Sequence, residues 1–394
     1  MRIAILTSGI LPVPAVQGGA VENLVDFYLE YNDQHHLHDI TVYSVDDEAA
    51  HQHPALQSKV NHYHFIDVRS FGAKIRKNFH HLLSKDEYYH YTIEYYFEES
   101  LKHITEHAYD MVIIENRPGY ALKIPPKYPA KVVYHIHNDF LNAQTKYAQE
   151  IYDRADRIIT VSDYIKSRVQ TIEALDKKCK TVLNGIDMHA FSNGQKKNRK
   201  SFGLADEDFV MVFSGRVIPE KGIRELLLAM QDLKEQTDIK LLVIGGSFYG
   251  NETEDSPFVQ ELRTLSSSIQ ERIVFTGFKP YQEIPSLLSL ADIAVLPSIW
   301  EEPLGLTCIE AMTTGLPVIT TRQGGIPETV TPDCGILLDP GETLPHQLTD
   351  AILDLYHHQE KREAMSKAAL ERSRLFSKER YAKEFFEAIA SSNL

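Results

Sequence analysis

Cysteine is scarce in this chain, with only Cys179, Cys308 and Cys334 among 394 residues. Three scattered thiols fit neither a disulfide framework nor a zinc site, so a reduced, cytosolic protein is predicted. The start of the sequence, MRIAILTSG, enters a predicted strand directly and lacks the basic region and apolar run of a signal peptide. No uninterrupted apolar run approaches the roughly 20 residues that cross a bilayer. These absences predict a cytoplasmic protein without a membrane-spanning helix.

Positive charge is also limited. The 41 lysines and arginines against 55 acidic residues leave a net charge of -14, which excludes the broad basic surface of a nucleic-acid-binding protein. Metal-ligand spacing is missing as well. Asp206 and Asp208 form a D-x-D pair, a pattern that can hold a divalent metal, but they precede a predicted strand, whereas ligand sites in α/β sheets follow strands. No metal and no other cofactor is therefore expected.

Short apolar runs alternate with amphipathic helical stretches, which is typical of parallel sheets covered by helices. The length exceeds that of one ordinary core, so two domains are expected. The polar segment FSNGQKKNRKSFG suggests a linker at 191–201 between domains at 1–190 and 202–377, followed by a closing helix at 378–394. The predicted strands of the first half are Ile3–Thr7, Ile40–Tyr43, Met111–Glu115, Lys131–His135, Ile158–Val161 and Thr181–Leu183. Those of the second half are Val210–Phe213, Lys240–Ile244, Arg272–Thr276, Ile293–Leu296, Pro317–Thr320 and Gly335–Leu338.

Two glutamates in the stretch from Ala294 to Glu328 carry the clearest chemistry. Glu302 is expected at the end of an apolar strand, and Glu310 about one turn inside the next helix. Gly305 lies between them and allows a sharp turn, so bare amides at a helix N-terminus can meet a phosphate. A carboxylate can accept hydrogen bonds from both hydroxyls of a diol. Phosphate and polyol recognition together predict a sugar-nucleotide site.

A cationic turn follows the strand Val210–Phe213 in the same half of the chain. Arg216 is expected at the strand end and Lys221 near the start of the next helix. The arginine fork and the lysine point charge would form a diphosphate clamp. The alternative is solvated surface charge, with Lys221 paired to Glu220 or Glu225.

Three further turns follow predicted strands. Gly18 and Gly19 precede the first helix, where a phosphate can approach the backbone, although the spacing does not match the dinucleotide fingerprint. His137 follows the strand Lys131–His135 and could hydrogen-bond a sugar hydroxyl or a phosphate. The GGIPE turn at 324–328 could direct amides to a ligand or could be a tight connection only.

The segment Arg69–Lys85 is a basic amphipathic helix by its pattern. Such a helix can rest on an anionic membrane surface, or it can pack its apolar side on the core. Peripheral contact with the inner face of the membrane is therefore one expectation. The apolar side is formed by Phe71, Ile75, Phe79, Leu82 and Leu83.

Taken together, these motifs resemble the retaining glycosyltransferases of family 4. The resemblance is strongest from FSGRVIPEKG through ADIAVLPSIWEEPLGLTCIEAMTTGLPVI to GGIPE, and it extends to YHIHND and VLNGID in the first half. It implies the α/β GT-B fold, in which two Rossmann-like domains face each other across a cleft. The closing helix would return to the first domain.

The resemblance also implies residue roles. His137, Arg216, Lys221 and Glu302 would act at the reacting centre, and Asn138 and Asp139 would lie on the acceptor side. No metal site is implied. The implied donor contacts are Gly18, Gly19, Arg216, Lys221, Gly277, Phe278, Lys279, Glu302, Leu304, Gly305, Leu306, Thr307 and Glu310.

The expected reaction is transfer of a sugar, with retained configuration, from a nucleoside diphosphate sugar to a hydroxyl of a glycan or lipid-linked acceptor. UDP is the favoured carrier, and surface polysaccharide or glycoconjugate synthesis is the implied setting. Two alternatives stay open at this point: a non-catalytic protein that binds nucleotide sugars, and a GT-B epimerase or phosphorylase.

Overall fold

The computed structural model describes residues 1–83, 91–192, 197–246 and 257–390. The chain forms two compact units, one comprising Met1–Gly185 with Lys378–Leu394 and the other Ile186–Ser377. Part of the predicted linker, residues 193–196, lies outside the described residues. The segment just after it belongs to the second unit, because Arg199 donates to Asp292 at 3.0 Å and to the carbonyl of Leu290 at 2.9 Å.

The first unit contains a seven-stranded parallel sheet in the order β3-β2-β1-β4-β5-β6-β7. The chain leaves β1 in one direction and returns beside it as β4, so the topological switch point lies between these two strands. The helices α1 to α5 of this unit are Ala20–His35, Phe71–Leu83, Tyr91–Thr105, Ala148–Arg154 and Asp163–Val169. The strands β1 to β7 are Arg2–Leu6, Asp39–Val45, Asn61–Ile66, Met111–Glu115, Lys131–Ile136, Arg157–Thr160 and Cys179–Thr181.

Two features of this sheet differ from the sequence prediction. The edge strand β3 was not predicted, because its sequence NHYHFI has little of the apolar character of a buried strand. It is held instead by its continuous parallel pairing with β2, from Asn61 opposite Ile40 to Ile66 opposite Val45. The last strand, β7, begins at Cys179 and ends at Thr181 rather than covering Thr181–Leu183, because the main-chain pairing with β6 sets its position.

The second unit contains a six-stranded parallel sheet in the order β10-β9-β8-β11-β12-β13, with its switch point between β8 and β11. All six strands were predicted from their apolar runs, with ends shifted by one residue or so. The strands β8 to β13 are Phe209–Ser214, Ile239–Ile244, Ile273–Phe275, Ile293–Leu296, Val318–Thr321 and Gly335–Leu338. The helices α6 to α13 are Met188–Ser192, Ile223–Asp232, Pro257–Ser266, Ile284–Leu288, Leu306–Thr313, Ile326–Thr329, Leu344–His357 and Gln359–Ser373.

The closing helix, α14, covers Lys378–Ala390 and packs on α1 as part of the first unit. The ring of Phe385 stacks on that of Tyr28 with centroids 4.2 Å apart, and Lys378 pairs with Glu30 at 2.9 Å. Tyr381, Phe385 and Ile389 are almost completely buried. The hydrophobic effect therefore fixes this helix to the first sheet.

The basic amphipathic segment forms α2, and its apolar side is only partly covered. Phe71, Ile75 and Phe79 are 80%, 55% and 58% exposed, while Ala73 is buried. The structure does not describe the side chains of Leu82 and Leu83. Residues 84–90 also lie outside the described residues. None of the helices in the described ranges combines the length and apolar content that a bilayer-spanning helix needs.

Candidate active site

A pocket lies at the switch point of the second sheet, where β8 and β11 end and α10 begins. Open α/β sheets bind ligands at this position because the connections on either side of it diverge. Its lining combines apolar side chains with charged and hydroxyl groups. The residues that line it are Phe213, Ser214, Lys221, Leu296, Ser298, Glu302, Gly305, Thr307, Cys308 and Ile326.

Lys221 and Glu302 meet inside this pocket. The ammonium Nζ of Lys221 lies 2.5 Å from Oε1 of Glu302, and Ser298 donates to the same oxygen at 2.7 Å. Lys221 ends the 3-10 turn Pro219–Lys221 after β8. Glu302 lies in the loop between β11 and α10 rather than at the strand end, since β11 stops at Leu296, before Pro297. The turn thus places a cation and a carboxylate together at the mouth of the pocket.

The GGIPE turn supports the loop that carries Glu302. The amide of Gly325 donates to the carbonyl of Glu302 at 2.7 Å, and the amide of Gly324 donates to the carboxylate of Glu301 at 2.6 Å. Both amides therefore already donate hydrogen bonds to acceptors within the protein. The geometry therefore favours the tight-connection interpretation over direct contact with a phosphate.

Glu310 lies on α10 three residues after Thr307, so the two share one face of the helix. Its side chain is 8% exposed and is hydrogen-bonded to Tyr281. Burial raises the pKa of Glu310 to about 7, and the bond from Tyr281 only partly offsets that shift. This carboxyl therefore changes charge near neutral pH.

The donor-side predictions Arg216, Gly277, Phe278 and Lys279 are not among the residues that line the pocket. Arg216 is exposed, two residues beyond the end of β8. The segment 276–280 follows β10, and Gly277 bridges to Gly245 after β9, with Phe278 36% exposed. The loop after Gly246 is outside the described residues at 247–256. The roles of Gly277, Phe278 and Lys279 in holding a base stay predictions.

In the first unit, Gly19 caps the N-terminus of α1, as its sequence position indicates. The carboxylate of Glu22 occupies the space beside it, because Ser8 donates to Glu22 at 2.9 Å and a Cβ on Gly19 would lie 2.2 Å from Oε2 of Glu22. Burial raises the pKa of Glu22. An anion bound at Gly18 and Gly19 would meet this carboxylate, so donor contact there stays a prediction.

His137 is almost completely buried just beyond β5, where its Nε2 lies 2.7 Å from Oε2 of Glu115. Its backbone N–H donates to the side chain of Asn116 at 3.1 Å. Burial lowers the pKa of His137 to about 4, helped by the neighbouring His135 and opposed by Glu115. The imidazole is neutral at physiological pH.

The acceptor-side candidates next to His137 have structural partners of their own. Asp139 accepts from Arg168 at 2.7 Å and from Asn142 at 2.8 Å. The carbonyl of Asn138 accepts from the amide of Phe140 at 2.8 Å. Their contact with an acceptor stays a prediction.

Two polar residues that orient the predicted side chains, Ser298 and Glu115, were not identified by the sequence analysis. Ser298 orients Glu302, yet nothing distinguishes it from a loop serine in the sequence. Glu115 had a usable signal, because it is the single charged residue at the end of the apolar strand MVIIE. A charged residue at the carboxyl end of a buried parallel strand indicates a site.

Comparison with known proteins gives a consistent result. The profile of the family described as Glycosyl transferases group 1 matches residues 194–372, and that of Glycosyltransferase Family 4 matches residues 33–190. Spore coat protein SA of Bacillus subtilis is 30% identical over 384 residues, covering 93% of each chain. Lipopolysaccharide 1,2-N-acetylglucosaminetransferase of Salmonella typhimurium is 26% identical, covering 58% of each chain. The crystal structure of Anabaena HepE in complex with UDP and glucose has a TM-score of 0.74, 21% identity, and coverage of 99% of this chain and 100% of that one.

Proposed function

Because this chain belongs to the family 4 and group 1 glycosyltransferases of the GT-B fold, we propose that it transfers a sugar from a UDP-sugar to a hydroxyl of a glycan or glycolipid acceptor. The transfer retains the anomeric configuration and uses no metal. The setting is the synthesis of a surface polysaccharide or related glycoconjugate.

The observation that carries the proposal is the pocket at the switch point of the second sheet. It combines the cation of Lys221, the carboxylate of Glu302 and the N-terminus of α10 within one small volume. Glu310 lies further along the same helix. A diphosphate needs the cation and the helix N-terminus, whereas the hydroxyls of a sugar and a ribose need the two carboxylates. A nucleoside diphosphate sugar meets all of these requirements at once.

The mechanism follows from where charge develops. As the bond between the anomeric carbon and the diphosphate breaks, negative charge accumulates on the leaving oxygen. Lys221, Arg216 and the amides at the start of α10 would stabilise that charge, so a divalent ion is not required. Glu302 would bind hydroxyls of the donor sugar. The leaving phosphate would accept the acceptor's proton on the same face of the sugar, which retains the configuration.

UDP is our preferred carrier, in line with HepE, whose structure holds UDP and glucose. A glycan or glycolipid acceptor is in line with the Salmonella relative, which is named for transfer onto lipopolysaccharide. Both are properties of those proteins, and they support the proposal by similarity.

A thermal-shift screen of UDP-, GDP-, ADP- and dTDP-sugars tests the proposal, because a ligand of the native state raises the unfolding temperature. We expect the largest rise with a UDP-sugar.

The rise should also depend on pH, since Glu310 accepts from both ribose hydroxyls only when ionised. With the pKa of Glu310 near 7 in the free protein, affinity should be about tenfold higher at pH 8 than at pH 6.

The matched control is Glu310→Gln, which keeps the size of the side chain and removes its titration. It should bind the donor weakly and equally at both pH values. If no sugar nucleotide changes the unfolding temperature of the wild-type protein, the proposed function is wrong.

One observation favours a second candidate, a non-catalytic protein that binds nucleotide sugars. A relative that covers 93% of the chain at 30% identity is named as a spore coat protein. Incubation of the protein with its best donor and a mixture of glycan acceptors separates the two. Release of free UDP that depends on acceptor supports transfer, and binding without release supports the second candidate. Conversion of the donor without acceptor would indicate an epimerase.

We also propose that α2 contacts an anionic lipid surface, as a peripheral association. Phe71, Ile75 and Phe79 recur every four residues and share one exposed side of the helix. Lys74 is exposed between them, and Arg69 and Arg76 keep 70% and 52% of their side chains exposed while contacting acidic neighbours. In a chain with net charge -14, α2 and the turn before it therefore place three basic side chains beside an exposed apolar face, a combination suited to anionic headgroups.

Co-sedimentation with phosphatidylglycerol vesicles tests this association. The double variant Phe71→Ser and Ile75→Ser should bind the vesicles with at least about tenfold lower affinity, because two apolar side chains no longer enter the interface. Leu175→Ser is the control, since Leu175 is 84% exposed and lies outside α2. Equal binding of both variants, or binding to phosphatidylcholine vesicles at the same level, would rule out the proposed contact.

A further inference from the structure

The first unit contains a buried carboxylate that the proposed function leaves without a role. Glu115 ends β4 beside the switch point of the first sheet, opposite His135 in the register with β5. It is completely buried. Its two oxygens accept from Tyr28 at 2.8 Å, from His135 Nδ1 at 3.0 Å and from His137 Nε2 at 2.7 Å. A buried charge of this kind needs partners on every side, and here it has three.

The protonation states of this cluster follow from its surroundings. Burial alone would raise the pKa of Glu115, but the attraction of His135 and the hydrogen bonds from both histidines lower it to about 2. Burial lowers the pKa of His137 to about 4. At neutral pH the pair is therefore a carboxylate and a neutral imidazole. The single ring proton of His137 must lie on Nε2, because that atom faces the carboxylate.

This assignment leaves Nδ1 of His137 as a hydrogen-bond acceptor. Within the described ranges, Nδ1 of His137 is buried and has no hydrogen-bond partner. The backbone of the same residue is fixed by Asn116, which accepts from its N–H at 3.1 Å. Ring and backbone are thus both held, while one nitrogen lone pair has no partner in the described structure.

Glu115, His135 and His137 are also of residue types that bind metals, and their ligating atoms lie within 4.8 Å of one another. Metal-bound histidines usually donate the N–H of the other ring nitrogen to a partner. Here Nε2 of His135 and Nδ1 of His137 are both buried without one in the described structure. Metal binding would therefore leave two buried N–H donors without acceptors, each at the cost of its desolvation. The hydrogen-bonded arrangement is therefore favoured.

We propose that Glu115 is a positioning residue for the transfer reaction: it holds His137 in the Nε2–H tautomer, so that Nδ1 accepts a hydrogen bond from a hydroxyl of the bound substrate. The inference rests on the proposed glycosyltransferase function and deepens it. It also implies a specificity rule, because only a group with a donor proton can pair with Nδ1. A substrate carrying a hydroxyl at the contacted position is accepted, and its deoxy analogue loses that bond.

The closing helix completes the support of this cluster. The Tyr28 ring, whose hydroxyl donates to Glu115, is stacked on Phe385 of α14, and the Phe385 ring centroid lies 5.1 Å from that of His135. The Tyr381 ring centroid is 6.2 Å from that of His135. These aromatic rings exclude water from the carboxylate, which strengthens its hydrogen bonds.

Histidine ¹⁵N spectra of the wild-type protein at neutral pH test the tautomers without any reaction. His137 should show protonated Nε2 and unprotonated Nδ1, and His135 should carry a proton on Nδ1, the atom that faces Glu115. The His137→Ala and His135→Ala spectra assign the signals. A His137 ring protonated on Nδ1, or on both nitrogens, would overturn the proposal. So would one equivalent of bound zinc per chain.

Kinetics test the coupling. Glu115→Gln should lower turnover by about 10- to 100-fold, as loss of an orienting partner does, with little change in donor affinity. In a His137→Ala background the same substitution should have almost no further effect, because Glu115 acts through His137. Equal effects in both backgrounds would show a merely structural role and would contradict the proposal.

The proposed glycosyltransferase function and the positioning role of Glu115 can be refuted independently of each other. If wild-type protein transfers no sugar from any donor, the proposed function is wrong, and the ¹⁵N spectra still decide whether Glu115 fixes the tautomer. Glu115→Gln replaces a buried charge by an amide of similar size. If that variant does not fold, the wild-type spectra decide the proposal alone.

Discussion

Alanine in place of Lys221 or Arg216 is expected to reduce turnover by about 10²- to 10³-fold, the loss typical when one group that stabilises a leaving-group charge is removed. Each cation is proposed to act most strongly as the diphosphate departs. The rate of transfer should therefore fall more than the affinity for the donor. Steady-state kinetics with the best donor, combined with calorimetric donor binding, separates the two effects.

The two variants differ in what they do to the free protein. Lys221→Ala leaves Glu302, which is 13% exposed, without its cation, so a lower unfolding temperature accompanies the loss of activity. Arg216 is exposed, and its alanine variant should unfold at the wild-type temperature. Arg216→Ala is therefore the cleaner probe of the diphosphate clamp.

The matched control is Arg224→Ala. Arg224 lies on α7 and pairs with Glu261 at 3.1 Å, with 47% of its side chain exposed. Its loss should change neither activity nor the unfolding temperature appreciably. Full turnover in both Lys221→Ala and Arg216→Ala would refute the clamp.

Gly222→Ala should destabilise the second unit by about 3 kcal/mol or more and weaken donor binding. Gly222 links the turn of Lys221 to α7 with φ +70°. A Cβ at this position would lie 1.9 Å from the carbonyl oxygen of Pro297, so the backbone of the β11–α10 loop must move. That loop carries Ser298 and Glu302, which both line the pocket. Calorimetric unfolding and donor titration measure the two effects.

Gly203 provides a control with the same backbone shape. It has φ +71° and ψ +19°, against +70° and +19° at Gly222, but a Cβ there would meet nothing within 4 Å. Gly203→Ala should therefore cost only the left-handed backbone strain, about 1–2 kcal/mol. The difference between the two variants measures the crowding at Pro297 alone. Equal destabilisation would show that the close approach does not matter.

Much of the fold could be predicted because parallel strands are buried on both faces. Runs such as Ile293–Leu296 are apolar throughout, and the helices between them show their own period. The prediction failed where main-chain pairing, rather than side-chain burial, forms the strand. Asn61–Ile66 is an edge strand with polar and aromatic residues, and only its pairing with β2 identifies it.

The candidate site was predictable in part for the same reason. Lys221, Glu302 and Glu310 each follow a strand and adjoin a turn or helix start, which are local signals. The protonation state and the ion-pair partners of these residues were not predictable from the sequence. The pKa of Glu310 near 7 arises from burial. The contact of Lys221 with Glu302 joins positions 81 residues apart.

Local order was encoded in the sequence alone: strand and helix periods, the glycine turns, and the residues that follow each strand. Those features depend on neighbours within a few positions, so they can be read along the chain. The folded sheets supplied the partners, since parallel strands bring their carboxyl ends to one edge whatever their separation in sequence. Glu115 therefore receives Tyr28 from 87 residues away and His137 from 22. Charge, tautomer and burial at such a cluster are properties of that assembly, because each depends on groups that only folding brings within hydrogen-bond distance.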